Sequence, residues 1–229
     1  MFAALALAAP CTAPALAAAP AGLDQGIAKR AAACLACHGD QSRSTADGYF
    51  PRIAGKPAGY LYNQLIAFRQ DQRRYPQMNY MVAHLSDDYL RELAGYFSTL
   101  RAPYPAPPTQ SVSGAVLERG RKLALQGDPA RKIPACVACH GQALTGVQPA
   151  VPGLVGLPRD YLNAQIGAWK NGARKAAAPD CMGAISRQLS VEEIGAVSSW
   201  LAARPMPVDS APAPAGATRP PLVCGSIPN

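Results

Sequence analysis

The sequence contains the pattern C-x-x-C-H twice, as CLACH at residues 34–38 and as CVACH at residues 136–140. Two cysteines three residues apart lie on one turn of a helix, so both thiols can bond to one flat ligand. The histidine adds an imidazole nitrogen on the same side. This spacing is the attachment signature of haem c. The sequence therefore predicts two covalently bound haems, with thioether bonds to Cys34, Cys37, Cys136 and Cys139 and axial iron ligands His38 and His140.

Two other uses of a C-x-x-C pair fit less well. A structural zinc site needs four ligands, and neither half of the chain has a second cysteine pair at short range. A thioredoxin-like redox pair needs a strand–helix context, which the sequence around residues 34–38 and 136–140 does not indicate.

The chain of 229 residues is long enough for two small domains, and a haem in each would supply much of a core that so short a unit lacks. The net charge of +8 favours an acidic redox partner or peripheral association with an anionic membrane surface. The chain has no lysine/arginine block and no basic stretch interleaved with aromatic residues. This pattern excludes nucleic acid as a predicted partner.

Residues 1–19 are apolar and uncharged, and the run Ala15-Leu16-Ala17 has the small-x-small pattern of a signal-peptidase site. The basic residues usual at the start of a signal are absent. Pro10 and Pro14 interrupt the stretch, which is also short for a membrane-spanning helix. We expect residues 1–19 to be an export signal and the protein to act in the bacterial periplasm, where haem c is attached.

An internal duplication covers most of the remaining chain. Matching positions are offset by 101 residues and then, after a short insertion, by 104; they include Tyr60/Tyr161, Gln64/Gln165, Phe68/Trp169, Arg73/Arg174, Met78/Met182 and Ser86/Ser190. The duplication predicts a first haem domain at 20–101, a stiff proline-rich linker at 102–113, a second haem domain at 114–204 and an irregular proline-rich tail at 205–229.

Both units have the apolar periodicity of helices and no strand pattern. Ser86 is a predicted N-cap, and Ser190 with Glu193 forms a predicted capping box. Further helices are expected near residues 23–33 and 115–126, before each haem site. The fold class predicted is all-α, with two tandem domains.

Methionines at matching positions of the repeat are the candidates for the second axial ligand. Met78 and Met182 each lie seven residues before a Leu-Ser pair, whereas Met81 is replaced by Ile185 in the second unit. A methionine sulfur favours ferrous iron and closes the site. We expect Met78 and Met182 to bind iron, Met81 to pack near the haem, and His84, which has no counterpart, to be a solvated helix-end residue.

The sequence resembles the di-haem class I cytochromes c of the cytochrome c4 type over about residues 23–204. The stretches that carry the resemblance are CLACHG at 34–39, FPRIAG at 50–55, YLYNQL at 60–65, IPACVACHG at 133–141 and PGL at 152–154, with Met78 and Met182 each followed by Leu-Ser.

The resemblance implies two cytochrome c folds related by a pseudo-twofold axis, with the haem edges close together. It implies that the carbonyls of Pro51 and Pro152 accept the second N–H of the axial histidines and so orient the rings. It also pairs a first-helix glycine with a last-helix aromatic residue, as Gly26 with Tyr96 and Gly120 with Trp200. Arg73 and Arg174 are candidate partners for haem propionates, although ordinary solvated arginines are an equal alternative.

Two cysteines, Cys181 and Cys224, have no place in this pattern. In an oxidising compartment a leftover pair favours a disulfide, which would tie the tail beside Met182, with two free thiols as the alternative.

Three functions are consistent with the sequence. The first is a carrier of single electrons between a membrane respiratory complex and a terminal oxidase. The second is a cytochrome subunit of a periplasmic dehydrogenase. The third, a di-haem peroxidase or gas sensor, is disfavoured because it needs an open iron site and distal acid–base residues, and no histidine recurs for that role in both units. An electron-transfer protein that is not itself an enzyme is therefore the prediction.

Overall fold

The computed structural model describes residues 25–42, 50–107 and 111–227. The predicted export signal at 1–19 lies outside these residues. No helix within the described ranges is long and apolar enough to span a membrane.

The first domain is built from helices around one apolar cluster. Its elements in chain order are α1 (Gln25–His38), α2 (Ala58–Arg69), α3 (Pro76–Val82) and α4 (Asp87–Thr99). The apolar faces of α1, α2 and α4 meet in a cluster that includes Ile27, Leu61, Phe68, Leu90 and Phe97. Helix α4 begins at the Ser86 N-cap, whose hydroxyl accepts a hydrogen bond from the backbone N–H of Tyr89.

The second domain repeats this plan and adds a small hairpin. Its elements are α5 (Gly114–Gln126), α6 (Val137–His140), β1 (Gly146–Val147), β2 (Val151–Pro152), α7 (Arg159–Lys170), α8 (Cys181–Gln188) and α9 (Val191–Ala202). The strands pair antiparallel, with Gly146 opposite Pro152 and Val147 opposite Val151. The fold is thus mostly helical, and this two-residue hairpin is the part that helical periodicity does not predict.

Helices α5 and α9 cross in close contact because Gly120 has no side chain. A Cβ at Gly120 would run into the carbonyl of Ala196 and lie 2.8 Å from the Cβ of Trp200. The structure therefore brings together the Gly120–Trp200 pair that the resemblance implies. The predicted capping box is also present, since Ser190 and Glu193 exchange side-chain and backbone hydrogen bonds at the start of α9.

Two short backbone segments join the domains. Arg73 and Arg174 form an antiparallel bridge. On either side of it, the N–H of Arg74 donates to the carbonyl of Ala173 at 3.0 Å, and the N–H of Lys175 donates to that of Gln72 at 2.6 Å. The start of the linker is held as well, because the Arg52 guanidinium donates to the carbonyls of Ala102 and Pro103.

Candidate haem sites

The first C-x-x-C-H pattern forms the last turns of α1. Cys34 and Cys37 lie one helical turn apart, and His38 ends the helix with 7 % of its surface exposed. The Nδ1 atom of His38 lies 2.8 Å from the carbonyl oxygen of Pro51. A carbonyl oxygen only accepts hydrogen bonds, so Nδ1 carries the proton and the lone pair is on Nε2. This is the tautomer that a metal-binding imidazole needs.

The second pattern has the same geometry on a different local scaffold. Cys136 stands at the N-cap of α6, and His140 ends that helix. The Nδ1 atom of His140 lies 2.7 Å from the carbonyl oxygen of Pro152, which is in β2. Burial lowers the pKa of both histidines, although the hydrogen bond to each prolyl carbonyl opposes the shift. Both rings are therefore neutral at neutral pH, with Nε2 available to a metal.

The cysteines of the two patterns are not disulfide-bonded. Burial raises the pKa of Cys34, and it raises the pKa of Cys136 to about 11. A redox-active C-x-x-C pair instead depends on a lowered thiol pKa. Among the residues that the structure describes, no three histidine, cysteine, aspartate or glutamate side chains cluster as they do in a metal site.

The structure places the two candidate methionines on short helices. Met182, in the first turn of α8, lines a cavity of about 520 Å³ together with Cys136, Cys139 and His140. Met78, on α3, packs against the same apolar cluster as Cys34. The two other residues weighed in the sequence are exposed: Met81 has 47 % of its surface accessible, and His84 lies at the surface beyond α3.

The cavity between the domains is bordered by positive charge. Lys56, Arg73 and Arg174 form no ion pair with a carboxylate of the described residues, and both Lys56 and Arg174 line the cavity. Burial lowers the pKa of Lys56, and burial with the neighbouring Arg73 lowers that of Arg174 to about 10. Burial alone would raise the pKa of Tyr60, but the charges of these three cations lower it to about 8.

Arg73 and Arg174 form a symmetric hydrogen-bond network across the domain boundary. Arg174 donates to Gln165 of its own domain at 2.8 Å and to Gln64 of the other at 2.7 Å. Arg73 donates to Gln64 at 3.0 Å and to Gln165 at 2.6 Å. Each guanidinium also reaches a tyrosine of the opposite domain, Tyr60 or Tyr161. This cross-domain role was not predicted, although the repeat pairs every member of the network.

The residues of the cavity fit a haem. Its lining is mainly apolar, and its volume falls in the range of cofactor pockets. Trp169 lines it with an indole N–H that is buried and has no hydrogen-bond partner among the described residues. This donor and the cations of Lys56 and Arg174 match the carboxylates of haem propionates. The thiols of Cys136 and Cys139 and the free Nε2 of His140 match its vinyl groups and iron.

Comparisons with known proteins give the family. No protein-family model matches the chain. A thiosulfate dehydrogenase electron acceptor from Stutzerimonas stutzeri is 43% identical over 181 residues, which cover 78% of this chain and 82% of that protein. A second protein of the same name, from Thiomonas intermedia, is 40% identical over 80% of this chain and 84% of its own. Cytochrome c4 from Thiocapsa roseopersicina is 36% identical over 77% of this chain and 89% of its own. The chain belongs to the cytochrome c4 family.

Two solved structures have a similar fold. Reduced cytochrome c4 from Pseudomonas stutzeri superposes with a TM-score of 0.66 at 28% identity, over 77% of this chain and 96% of that one. A thiosulfate dehydrogenase, TsdBA, from Marichromatium purpuratum superposes with a TM-score of 0.68 at 33% identity. The match covers 76% of this chain but 36% of that longer chain.

Membership confirms the main functional prediction. This cytochrome c4-type protein has tandem c-type domains, binds haem c covalently and transfers electrons, as a carrier or as the acceptor subunit of a dehydrogenase. The curated relatives are named as cytochromes and electron acceptors, which transfer electrons and are not themselves enzymes.

The residue that joins the tail to the second site is Cys224. The structure shows a disulfide between Cys181 and Cys224, with the Cα atoms 5.5 Å apart. Cys181 directly precedes Met182, so the tail is covalently attached at the start of α8. The alternative of two free thiols is not the arrangement in the structure.

Proposed function

We propose that the chain holds two haem c groups, one in each of the domains 20–101 and 114–204, and accepts single electrons from a periplasmic dehydrogenase. Residues 1–19 would be removed on export. The observation that carries the proposal is the repeated histidine geometry. His38 and His140 follow two cysteines and are oriented by prolyl carbonyls, at 2.8 and 2.7 Å, with a methionine at the matching position of each unit.

Each group of residues has a separate task in this proposal. When bound, haem c supplies a one-electron ferric–ferrous couple. The carbonyls of Pro51 and Pro152 hold the imidazole rings in one orientation and one tautomer. With haem bound, the thioethers of Met78 and Met182 would favour the reduced iron and would leave no position open to oxygen or peroxide. His38 with Met78, and His140 with Met182, would hold the iron in both oxidation states, so that electron transfer would need no exchange of ligands.

The cations between the domains would neutralise the propionates of a bound haem. Lys56 and Arg174 offer charged donors, and Trp169 offers a neutral one, among the residues that line the cavity. Burial makes these interactions stronger than they would be in water. We propose that Arg73 and Arg174 bridge the domains through Gln64 and Gln165 and place positive charge beside the propionates.

A dehydrogenase partner is supported by the names of similar proteins, two of which are thiosulfate dehydrogenase electron acceptors. Transfer to a terminal oxidase is a second candidate, supported by the 30–36% identity to cytochromes c4 and a cytochrome c-552. The net charge of +8 favours an acidic docking surface on either partner. Stopped-flow reduction by thiosulfate and its dehydrogenase, compared with oxidation by a terminal oxidase, distinguishes the two.

The ligand assignment is tested by absorption spectroscopy of the holoprotein. We expect two haems per chain, a far-red methionine-to-iron band in the ferric state, and no spectral change of the ferrous state with carbon monoxide. Met78→Leu and Met182→Leu should each remove about half of the intensity of that band, because each variant removes one of two equivalent methionine ligands. Met81→Leu is the matched control and should leave it unchanged. One haem per chain, or a band that survives either ligand variant, would refute the assignment.

A further inference from the structure

The tail, defined as residues 205–227, follows the surface of the second domain. Ala213 forms a parallel bridge with Val147 of β1. Its N–H donates to the carbonyl of Gly146 at 2.9 Å, and its carbonyl accepts from the N–H of Gln148 at 2.8 Å. Further along, the Thr218 hydroxyl lies 3.5 Å from the carbonyl of Cys139. The tail therefore extends the hairpin and passes directly over one of the haem-attaching cysteines.

The last part of the tail forms part of the wall of the cavity. Leu222, Cys224, Ser226 and Ile227 line the same space as Cys139, His140 and Met182. Gly225 lies against the backbone of Ala178, where a Cβ would collide with the carbonyl oxygen. Val223, in contrast, has 73 % of its surface exposed and does not line the cavity. Four of the six residues from 222 to 227 thus line the cavity, as expected of a segment that covers a pocket.

Three attachments hold this segment in place. The first is the disulfide from Cys224 to Cys181, next to Met182. The second is the hydrogen bond from the N–H of Gly225 to the carbonyl of Pro179, at 3.0 Å. The third reaches the other domain, since the Asn63 amide donates to the carbonyl of Ser226 at 3.1 Å. The end of the tail is therefore fixed to both domains where it lines the cavity.

The two haem sites differ in exposure in the corresponding place. Cys37 is exposed in the first domain, whereas Cys139 is half-buried beneath Thr218. From these contacts we infer that the tail is the outer wall of the second haem pocket. It excludes water and small iron ligands from that haem, and it restrains the helix that carries Met182. This inference rests on the proposed haem at Cys136, Cys139 and His140.

The test measures cyanide binding to the ferric holoprotein, after the haem content has been determined as two per chain. Cyanide replaces a methionine ligand, so its rate reports both access to the iron and release of the sulfur. In a variant that ends at Pro221 and carries Cys181→Ser, half of the haem should react at least about tenfold faster, because local opening no longer has to displace the tail. The other half should react at the wild-type rate.

Point variants keep the test independent of any misfolding caused by truncation. Ile227→Ser and Asn63→Ala should accelerate the same half of the haem by about two- to fivefold, since each removes one contact of the segment. Val223→Ser is the matched control and should have no effect. Deuterium uptake provides a readout without haem chemistry: amides of 136–140 and 181–188 should exchange faster in Ile227→Ser, while those of 34–38 should not.

The outcomes separate the inference from the proposed function. A holoprotein with one haem per chain would refute the proposed function itself. Two haems whose cyanide rates and amide exchange are the same in wild type, Ile227→Ser and the truncated variant would refute the role of the tail alone.

Discussion

In the first domain the haem-attaching helix α1 runs without a break to His38, whereas in the second domain the corresponding chain is folded back on itself. There, Gly127 ends α5 with a positive φ of 69°, and the N–H of Asp128 bonds to the carbonyl of Ile133 before α6 begins. Helix α5 also packs far more extensively on α9 than α1 packs on α4. The same predicted ligand set is thus held by less closely packed helices in the first domain and by more closely packed helices in the second.

This difference teaches that the ligands do not dictate how a haem is enclosed. Both histidines bond to a proline carbonyl, and both domains have a Ser N-cap on the last helix. What differs is added around that common centre: the folded-back segment, the hairpin and the tail. The first two belong to the second domain, and the tail packs against it.

The largest expected effect is at the helix crossing of the second domain. Gly120→Ala should lower the free energy of unfolding of that domain by about 3 kcal/mol, because the added methyl meets backbone atoms of α9 that cannot move aside. Both tryptophans, Trp169 and Trp200, are in this domain, so their fluorescence during denaturant unfolding reports it selectively. An unchanged unfolding midpoint would show that the crossing is looser than the structure indicates.

The next largest effect is a difference in stability between variants of the two bridging arginines, Arg73 and Arg174. Arg174 has 3 % of its surface exposed, whereas Arg73 is half-buried. Water can therefore replace fewer of the hydrogen bonds that are lost in Arg174→Met than of those lost in Arg73→Met. We expect Arg174→Met to destabilise the protein by about 2–3 kcal/mol and Arg73→Met by roughly half as much. Urea unfolding of the two holoprotein variants measures this, and equal losses would mean that burial does not distinguish the pair.

A smaller effect concerns the capping box, which the first domain lacks because Tyr89 stands where Glu193 stands in the second. Glu193 is buried and accepts hydrogen bonds from Arg119 and Arg131. The Arg131 guanidinium and the Ser190 N–H lower the pKa of Glu193 to about 2, although burial opposes the shift. Glu193→Gln should cost about 1–2 kcal/mol at neutral pH, since both arginines are partly exposed.

The pH dependence of that variant follows from the direction of the shift. A carboxyl with a lowered pKa in the folded state stabilises the fold above its ordinary pKa of 4.5, and this contribution is lost as the pH falls towards 2. Wild type should therefore lose more second-domain stability than Glu193→Gln between pH 4.5 and 2. Asp160→Asn, which removes a carboxyl of the same domain whose side chain is 94% exposed, is the control and should behave as wild type. Parallel acid titrations of all three would contradict the assignment.

The smallest effect should be the same in both domains. Gly95 in α4 and Gly195 in α9 are helical, and a Cβ at either would contact nothing within 4 Å. Gly95→Ala and Gly195→Ala should each raise the free energy of unfolding by about 0.5–1 kcal/mol, because alanine loses less backbone entropy in a helix. Unequal changes, measured by thermal unfolding, would show that one helix is more constrained than its sequence indicates.

The sequence predicted the parts of the fold that depend on local patterns. The capped helices α4 and α9 begin where Ser86 and Ser190 place them, and the helix expected near 115–126 is α5. The helix expected near 23–33 was too short, since α1 continues through His38. The C-x-x-C-H pattern contains no glycine or proline that would end a helix, so the pattern does not indicate where α1 ends.

What the sequence could not predict depends on contacts between distant residues. The hairpin has two residues in each strand, too few for a period-two pattern to appear. The path of the tail depends on Ala213 and Ser226 meeting partners far away in the chain. The repeat marked Arg73 and Arg174 as a pair, but only the structure shows that each bonds to the glutamine of the other domain.

The link between Cys181 and Cys224 has a consequence for biogenesis. Six cysteines follow residue 19, and four of them have to remain thiols until haem is attached. Cys224 is the last of the six to be synthesised, so the haem-binding pairs are complete before the partner of Cys181 exists. We therefore expect the Cys181–Cys224 pair to be oxidised late, after haem has been attached to Cys136 and Cys139, so that the tail closes on a domain that already holds its cofactor.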